Sequence, residues 1–113
     1  MIERTDFDRW LERQADRRRV FTAVYHVNGK GFRSWSCGCP LASYCHEVLG
    51  MHKVAWAGDS ATDFGREDKD GNPVVEKLAG EWAVVFVKSV DYAYVSDVLH
   101  AQDALTILRV LDI

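Results

Sequence analysis

The stretch VFTAVYHVNGKGFRSWSC, residues 20–37, decides the fold. It contains two runs rich in β-branched and aromatic residues, separated by NGKG at residues 28–31, a composition that favours a tight hairpin turn. With a connection at 28–31, His26 pairs with Arg33 and Val24 pairs with Trp35. Because side chains alternate between the faces of a strand, we expect a β-hairpin with one apolar face. That face carries Val20, Val24, Trp35 and Cys37.

A helix is predicted upstream of this hairpin, over residues 5–19, TDFDRWLERQADRRR. Thr5 occupies the position of an N-cap, and Asp8, three residues later, suits a capping box. The apolar residues follow helical spacing and form a stripe that must pack against another element. These residues are Phe7, Trp10 and Leu11.

A second helix is predicted downstream, where Pro40 suits the first turn because a missing N–H costs nothing there. This helix ends near Gly50 and places Cys45 on its buried face. His46 then points about 100° away from Cys45. The apolar residues at helical spacing are Leu41, Tyr44, Cys45, Val48 and Leu49.

The rest of the chain is less regular. Residues 58–73, GDSATDFGREDKDGNP, are rich in turn formers and predict a loop-like segment with a turn between short strands. EWAVVFVKSV, residues 81–90, is apolar on both faces and predicts a central strand. DYAYVSDVLHAQDA, residues 91–104, predicts a helix, and LTILRVLDI, residues 105–113, predicts a last strand. A helix continuing from Val95 is the alternative for that last segment.

The fold class expected from these elements is α+β, as one small domain spanning residues 1–113. It has an N-terminal helix, a β-hairpin and a helix, and then strand, helix and strand completing a mainly antiparallel sheet. A net charge of -3 is too small to indicate a nucleic-acid binder. The sequence begins without a signal-peptide pattern and has no apolar run of ~18 residues, so we expect a cytoplasmic protein without membrane contact.

The three cysteines all lie in SWSCGCPLASYCHE, residues 34–47. Three thiols, an odd number, favour a reducing compartment and free cysteines. Cys37, Cys39 and Cys45 could converge on zinc, but His46 is an awkward fourth ligand because adjacent helical residues diverge. We therefore expect three buried thiols and no cofactor, with zinc as the open alternative. Its ligands would be Cys37, Cys39, Cys45 and His46.

SCGCP at residues 36–40, followed by YCHEVLGM at residues 44–51, resembles part of the SWIM-type zinc finger. In that family a Cys-x-Cys pair on a hairpin is joined by a Cys-x-His at the start of a helix. The resemblance covers about a tenth of the chain, and here Cys45 and His46 are adjacent, with only five residues between Cys39 and Cys45. It implies zinc binding at this cluster. A zinc-stabilised, nucleic-acid-associated module that combines the cysteine hairpin with the line Arg9, Arg13 and Arg17 is the alternative function.

A cysteine-dependent enzyme is the third interpretation of this cluster. Cys39 would lie beside the start of the second helix, where the dipole lowers the pKa of a thiol. A nucleophile also needs a base nearby, and only His100 is unconstrained by local geometry. The sequence has no Gly-rich phosphate loop, no HExxH pair and no Gly-x-Ser-x-Gly elbow, so we expect a protein that is not an enzyme.

Aromatic residues and charge favour a binding function instead. Four tryptophans and four tyrosines exceed the needs of one small core, and such residues anchor interfaces. The line Arg9, Arg13 and Arg17 could contact phosphates, but the acids on the same helix favour a solvated face. We expect a non-enzymatic regulatory domain that inhibits or modulates a larger protein or nucleoprotein complex, by analogy with inhibitors from phages and mobile elements. The expected partner has a basic surface, and the interface candidates are Trp10, Trp56, Asp59, Asp63, Asp68 and Asp70.

Overall fold

Helices and short antiparallel strands make up the part of the chain that the computed structural model describes, residues 2–22, 24–27, 33–36, 39–50, 54–57, 63–67, 69–70, 72–77 and 79–111. The α+β class expected from the sequence is confirmed. In chain order the elements are α1 (Arg4–Asp16), β1 (Val20–Thr22), β2 (Val24–Val27), β3 (Arg33–Ser36), α2 (Pro40–Glu47), β4 (Val54–Ala57), β5 (Asp63–Glu67), β6 (Pro73–Lys77), α3 (Glu81–Asp91), β7 (Val98–His100) and α4 (Ala101–Val110).

The core lies between the helices and the β1–β7 pair. Phe7 of α1 is fully buried at its centre. Its ring lies 5.4 Å from the ring of Tyr44, 5.8 Å from that of Trp82 and 5.3 Å from that of Phe86, measured between centroids. Such aromatic pairs add about 0.5–1.5 kcal/mol each beyond the area they bury. The aromatic cluster therefore fastens α1 to α2 and α3.

The strands form three small antiparallel sheets, β1–β7, β2–β3 and β4–β5–β6. The predicted hairpin is present as β2–β3, but its register differs from the expected one. Tyr25 pairs with Trp35, and Val24 pairs with Ser36, because five residues rather than four connect the strands. A shift of one residue moves side chains to the opposite face, so the expected Val24–Trp35 pairing is wrong. Val20 belongs to a different pair, opposite His100.

The helix predictions are confirmed for the buried face of α1, whereas the predicted ends of the helices differ from the observed ones. The predicted stripe on α1 is confirmed, since its three apolar residues are all buried. The N-cap is Glu3, however, and Thr5 lies within the first turn. Pro40 occupies the first turn of α2 as predicted, but the helix ends at Glu47. The apolar residues beyond that end are half-exposed instead of buried. These are Val48 and Leu49.

The C-terminal third differs most from the sequence prediction. Residues 81–90 are not a strand: Glu81–Asp91 is a helix. Residues 91–104 are not one helix, because they contain a turn and β7, and α4 begins only at Ala101. The predicted last strand is also wrong, and the helical alternative holds from Ala101 to Val110. Between residues 58 and 73, the expected turn between short strands is found at residues 69–70, joining β5 to β6.

Candidate interaction surface

The connection between α3 and β7 forms a tight two-residue turn. The backbone N–H of Val95 donates to the carbonyl oxygen of Val98 at 2.9 Å, and that of Val98 donates to Val95 at 3.0 Å. Between them, Ser96 and Asp97 have positive φ values of 52° and 63°. Two consecutive positive φ values are typical of a type I′ turn, which favours Asn-Gly because a Cβ is strained there. The chain therefore holds a fixed turn with two unfavourable residues at its tip.

Two large side chains beside this turn face solvent. Tyr92, the C-cap residue of α3, is 92% exposed, and Val95 is 75% exposed. Ala93 and Tyr94, between them, are partly buried and pack against the core. The segment is thus anchored from within while Tyr92 and Val95 point outward. Tyrosine is among the residues that most often anchor protein interfaces, and the valine adds exposed apolar area near it.

Carboxylates border this apolar pair. Asp91 at the end of α3 and Asp97 at the tip of the turn are both exposed, and Lys88 lies one turn earlier on α3. Burial raises the pKa of Asp91 above its ordinary value of 3.8. The surface is therefore apolar at its centre and acidic at its edge. We call it the turn surface, and define it by Asp91, Tyr92, Val95 and Asp97.

The sequence prediction missed the turn surface because residues 91–104 have apolar residues at a spacing that also fits a helix. A local signal was present: Ser96 and Asp97, both turn-forming residue types, lie between Val95 and Val98. A pair of turn formers flanked by β-branched residues predicts a hairpin. The signal is weak because neither residue is the glycine that a type I′ turn favours.

Trp10, predicted as an interface residue, lies in the core. Only 5% of it is exposed, and its ring centroid lies 5.5 Å from that of Tyr44 in an edge-to-face contact. The same helical spacing that placed Trp10 on the apolar stripe of α1 buries it, so it offers no exposed anchor. The prediction that Trp10 is an interface residue is therefore corrected. Among the residues whose side chains the structure describes, the aromatic one that is exposed is Tyr92.

The other interface candidates within the described residues lie in or near the β4–β5–β6 sheet. Trp56 lies in β4, paired with Gly65, and Asp63 begins β5, paired with Lys77. Asp70 is exposed in the turn between β5 and β6. Asp59 and Asp68 lie outside the described residues. The structure therefore places Asp63 at the start of β5 and Asp70 in the turn that follows β5. Contact of these aspartates with a partner stays a prediction.

The two cysteines within the described residues lie on α2. Cys39 is its N-cap residue and is partly buried, whereas Cys45 is fully buried. Burial raises the pKa of Cys39 to about 11, although the backbone N–H groups of Ala42 and Leu41 oppose the shift. Burial raises the pKa of Cys45 to about 12. A thiol that stays protonated at neutral pH is a poor nucleophile, which weighs against Cys39 as an enzyme nucleophile.

The predicted divergence of Cys45 and His46 is confirmed, since Cys45 is buried and His46 is exposed. Cys37 lies outside the described residues, so the convergence of three thiols stays a prediction. Within the described ranges, no group of three or more Cys, His, Asp or Glu residues could hold a metal ion.

His100, the base considered for Cys39, is the N-cap residue of α4 and is exposed. It lines a cleft of about 380 Å³. The residues of this cleft do not include Cys39, so the cleft does not bring a cysteine and a histidine together. They are Ala15, Arg18, Arg19, His100, Ala101, Gln102 and Asp103.

No helix in the described part of the chain is both long enough and apolar enough to cross a bilayer. Comparison of the chain with protein-family models, with curated proteins and with solved structures finds no match in any of the three.

Proposed function

We propose that this chain is a non-enzymatic binding domain that inhibits or modulates a larger protein or nucleoprotein complex, and that it contacts this partner through the turn surface. The observation that carries the proposal is the exposure of Tyr92, 92%, at the end of α3, three residues before Val95, 75%, which begins a turn closed by two backbone hydrogen bonds. Burying a side chain of this size against a partner contributes about 1.5–3 kcal/mol. A turn that is already ordered loses little conformational freedom on binding.

The partner surface that fits is apolar at its centre and basic around it. Asp97 lies exposed at the tip of the turn and would face that basic rim, where charges mainly set the association rate and its salt dependence. A basic partner also agrees with the four acidic interface candidates expected from the sequence, Asp59, Asp63, Asp68 and Asp70. The raised pKa values of Cys39 and Cys45 support a binding role over a cysteine-dependent reaction.

The experiment is a comparison of variants in affinity capture followed by binding measurements on the captured partner. The test variant is Tyr92→Ala with Val95→Ser. The matched control is Val110→Ser with Val48→Ser, since Val110 is 71% exposed and Val48 is 50% exposed, away from the turn. We expect the test variant to lose at least about tenfold in affinity, which is 1.4 kcal/mol, while the control binds normally. Equal binding by the two variants would refute the turn surface as the contact site.

A further inference from the structure

Helix α1 exposes a line of arginines. Arg9, Arg13 and Arg17 are all exposed and lie four residues apart, so they drift only about 80° around the axis over about 12 Å. Arg18 adds a fourth exposed guanidinium at the same end of the helix as Arg17. We call Arg9, Arg13, Arg17 and Arg18 the arginine face. In the described part of the chain, none of the four forms an ion pair.

Two acids that the sequence suggested would neutralise this face are bound elsewhere. Arg109 of α4 donates to Asp8 from Nε at 3.2 Å and from one terminal nitrogen at 3.0 Å, and the same nitrogen donates to Glu12 at 2.9 Å. Asp6 and Asp16 are the exposed acids left near the face. Arg109 carries one positive charge against the two carboxylates of Asp8 and Glu12, so one negative charge remains beside the face in addition to those of Asp6 and Asp16. The four arginines of the face still exceed these acids, which leaves a small local positive charge, although the whole chain carries a net charge of -3.

The backbone at Arg18 adopts a conformation that is unfavourable for arginine. Its φ is 56°, in the left-handed region where glycine is favoured. The N–H of Arg18 donates to the carbonyl of Ala15 at 2.9 Å, and that of Arg19 donates to Gln14 at 3.0 Å. This is the Schellman pattern at a helix C-terminus, and glycine is its usual residue at the position of Arg18. A non-glycine residue is disfavoured in the left-handed region, so glycine would give a more stable helix end.

A positive surface could bind either a nucleic acid or an acidic protein, and the residues around the arginines distinguish between these two partners. Every exposed residue between Glu3 and Arg18 is polar or charged. The anchors of a protein interface combine tryptophan and tyrosine with arginine in desolvated pockets, and this face has arginines without any exposed aromatic or apolar residue. Contact with a phosphate backbone needs only guanidinium groups, which bind phosphate oxygens bidentately. We propose that the arginine face binds the phosphate backbone of a nucleic acid, independently of the turn surface.

The number of arginines sets the expected strength and salt dependence. Three to four phosphate contacts on a duplex give a slope of about -3 to -4 when the logarithm of the binding constant is plotted against the logarithm of salt concentration. Contacts to phosphates carry no sequence information, so binding through this face should not depend on sequence. The dissociation constant should lie in the range of non-specific binders, about 10⁻⁴–10⁻⁶ M.

The test is fluorescence anisotropy with a labelled DNA duplex of mixed sequence, titrated with the whole chain between about 50 and 200 mM salt. Arg9→Gln with Arg13→Gln should weaken binding at least about tenfold at the lower salt and reduce the slope by about 2. Lys69→Gln with Lys88→Gln removes the same charge from two exposed lysines elsewhere and should leave the slope unchanged. Arg109→Gln should weaken binding by a smaller factor, because it releases the carboxylates of Asp8 and Glu12 beside the face.

Three outcomes would overturn the inference. One is no salt-dependent binding of the duplex by the native chain. Another is an equal loss in the arginine and lysine variants, which would show only an effect of net charge. The third is tighter binding to polyglutamate than to the duplex, which would assign the arginine face to an acidic protein. Substitution of Tyr92 and Val95 should leave duplex binding unchanged, so failure here is distinguishable from failure of the turn surface.

Discussion

Arg19 joins three elements of the fold, and its replacement by methionine should destabilise the protein by about 2–3 kcal/mol. Its terminal nitrogens donate to the two carboxylate oxygens of Glu47 at 2.8 and 2.6 Å, and one also donates to Gln14 at 3.1 Å. Its guanidinium carbon lies 4.8 Å from the ring centroid of Phe21 and 5.6 Å from that of Trp10. These contacts connect the end of α1 and the start of β1 to the end of α2.

The magnitude follows from the exposure of each contact. The side chains of Arg19 and Glu47 are 30% and 41% exposed, so their ion pair is worth only about 0.5–1 kcal/mol. The cation–π contacts add about 0.5–1 kcal/mol at a partly exposed site. Gln14 is only 7% exposed, and losing the donor to its side-chain oxygen costs about 1 kcal/mol or more. Methionine keeps the apolar stem over the rings, so the variant isolates the charged head.

The assay is urea unfolding at neutral pH, with an unchanged m-value as the check that the native and unfolded states stay comparable. Glu47→Gln alone should cost only about 0.5–1 kcal/mol. The hydrogen bond from Arg19 lowers the pKa of Glu47 below its ordinary value of 4.5, against an opposing effect of burial. The contribution of Glu47 is therefore complete above pH 4.5 and is lost as the pH falls through the lowered pKa. The difference between the native chain and Glu47→Gln should shrink over that acidic range.

Two results would contradict this account of Arg19. A loss below about 1 kcal/mol for Arg19→Met would mean that Gln14 finds another partner and that the rings gain nothing from the cation. A Glu47→Gln penalty that persists unchanged at acidic pH would mean that charge does not stabilise this contact. Arg19→Lys is the control that keeps the charge. It should fall between the two, because an ammonium cannot bind both carboxylate oxygens in the same fork geometry.

Two further predictions concern the thiols and the turn. In a Cys37→Ser background, Cys39 and Cys45 should react with a thiol-modifying disulfide at pH 7.4 at least about a hundredfold more slowly than free cysteine, since burial raises their pKa values to about 11 and 12. Both should react fast in denaturant, and fast labelling of the native chain would show that the thiols are not buried. Ser96→Asn with Asp97→Gly should raise the free energy of unfolding by about 1 kcal/mol, because this pair suits two positive φ values. A thermal melt that shows destabilisation would contradict the turn geometry.

Elements with strong local signals were predictable from the sequence. The burial of Phe7, Leu11 and Cys45 followed from helical spacing, which records which face of a helix meets the core. The start of α2 followed from Pro40, whose fixed φ and missing N–H suit only a few positions. Each of these signals depends on residues within one or two turns of each other.

The C-terminal third was not predictable on the same terms. Residues 81–90 are rich in valine, which favours strands, yet Ala83, Val84, Phe86 and Val90 are buried on α3. A helix packed on several sides by α1, α4 and the aromatic cluster is apolar nearly all round, and then periodicity no longer separates it from a strand. The β1–β7 pair joins residues about 80 positions apart, and no local pattern in Val20–Thr22 indicates that partner.

The turn surface was not predicted for a related reason, whereas the line of Arg9, Arg13 and Arg17 was visible in the sequence and was interpreted as a solvated face. The described chain contains three non-glycine residues with positive φ, Arg18, Ser96 and Asp97. Local propensity favours glycine or asparagine at all three, and a sequence that obeyed it would have been easier to interpret and more stable. Among the described residues, no buried side-chain polar atom lacks a hydrogen-bond partner, so no unsatisfied polar group adds to the strain at these three residues. Proteins tend to depart from local rules where function constrains the residue. Arg18 lies at the end of the arginine face, and Ser96 and Asp97 lie at the tip of the turn surface. For this reason we propose that these two surfaces bind partners, whereas the buried core provides stability.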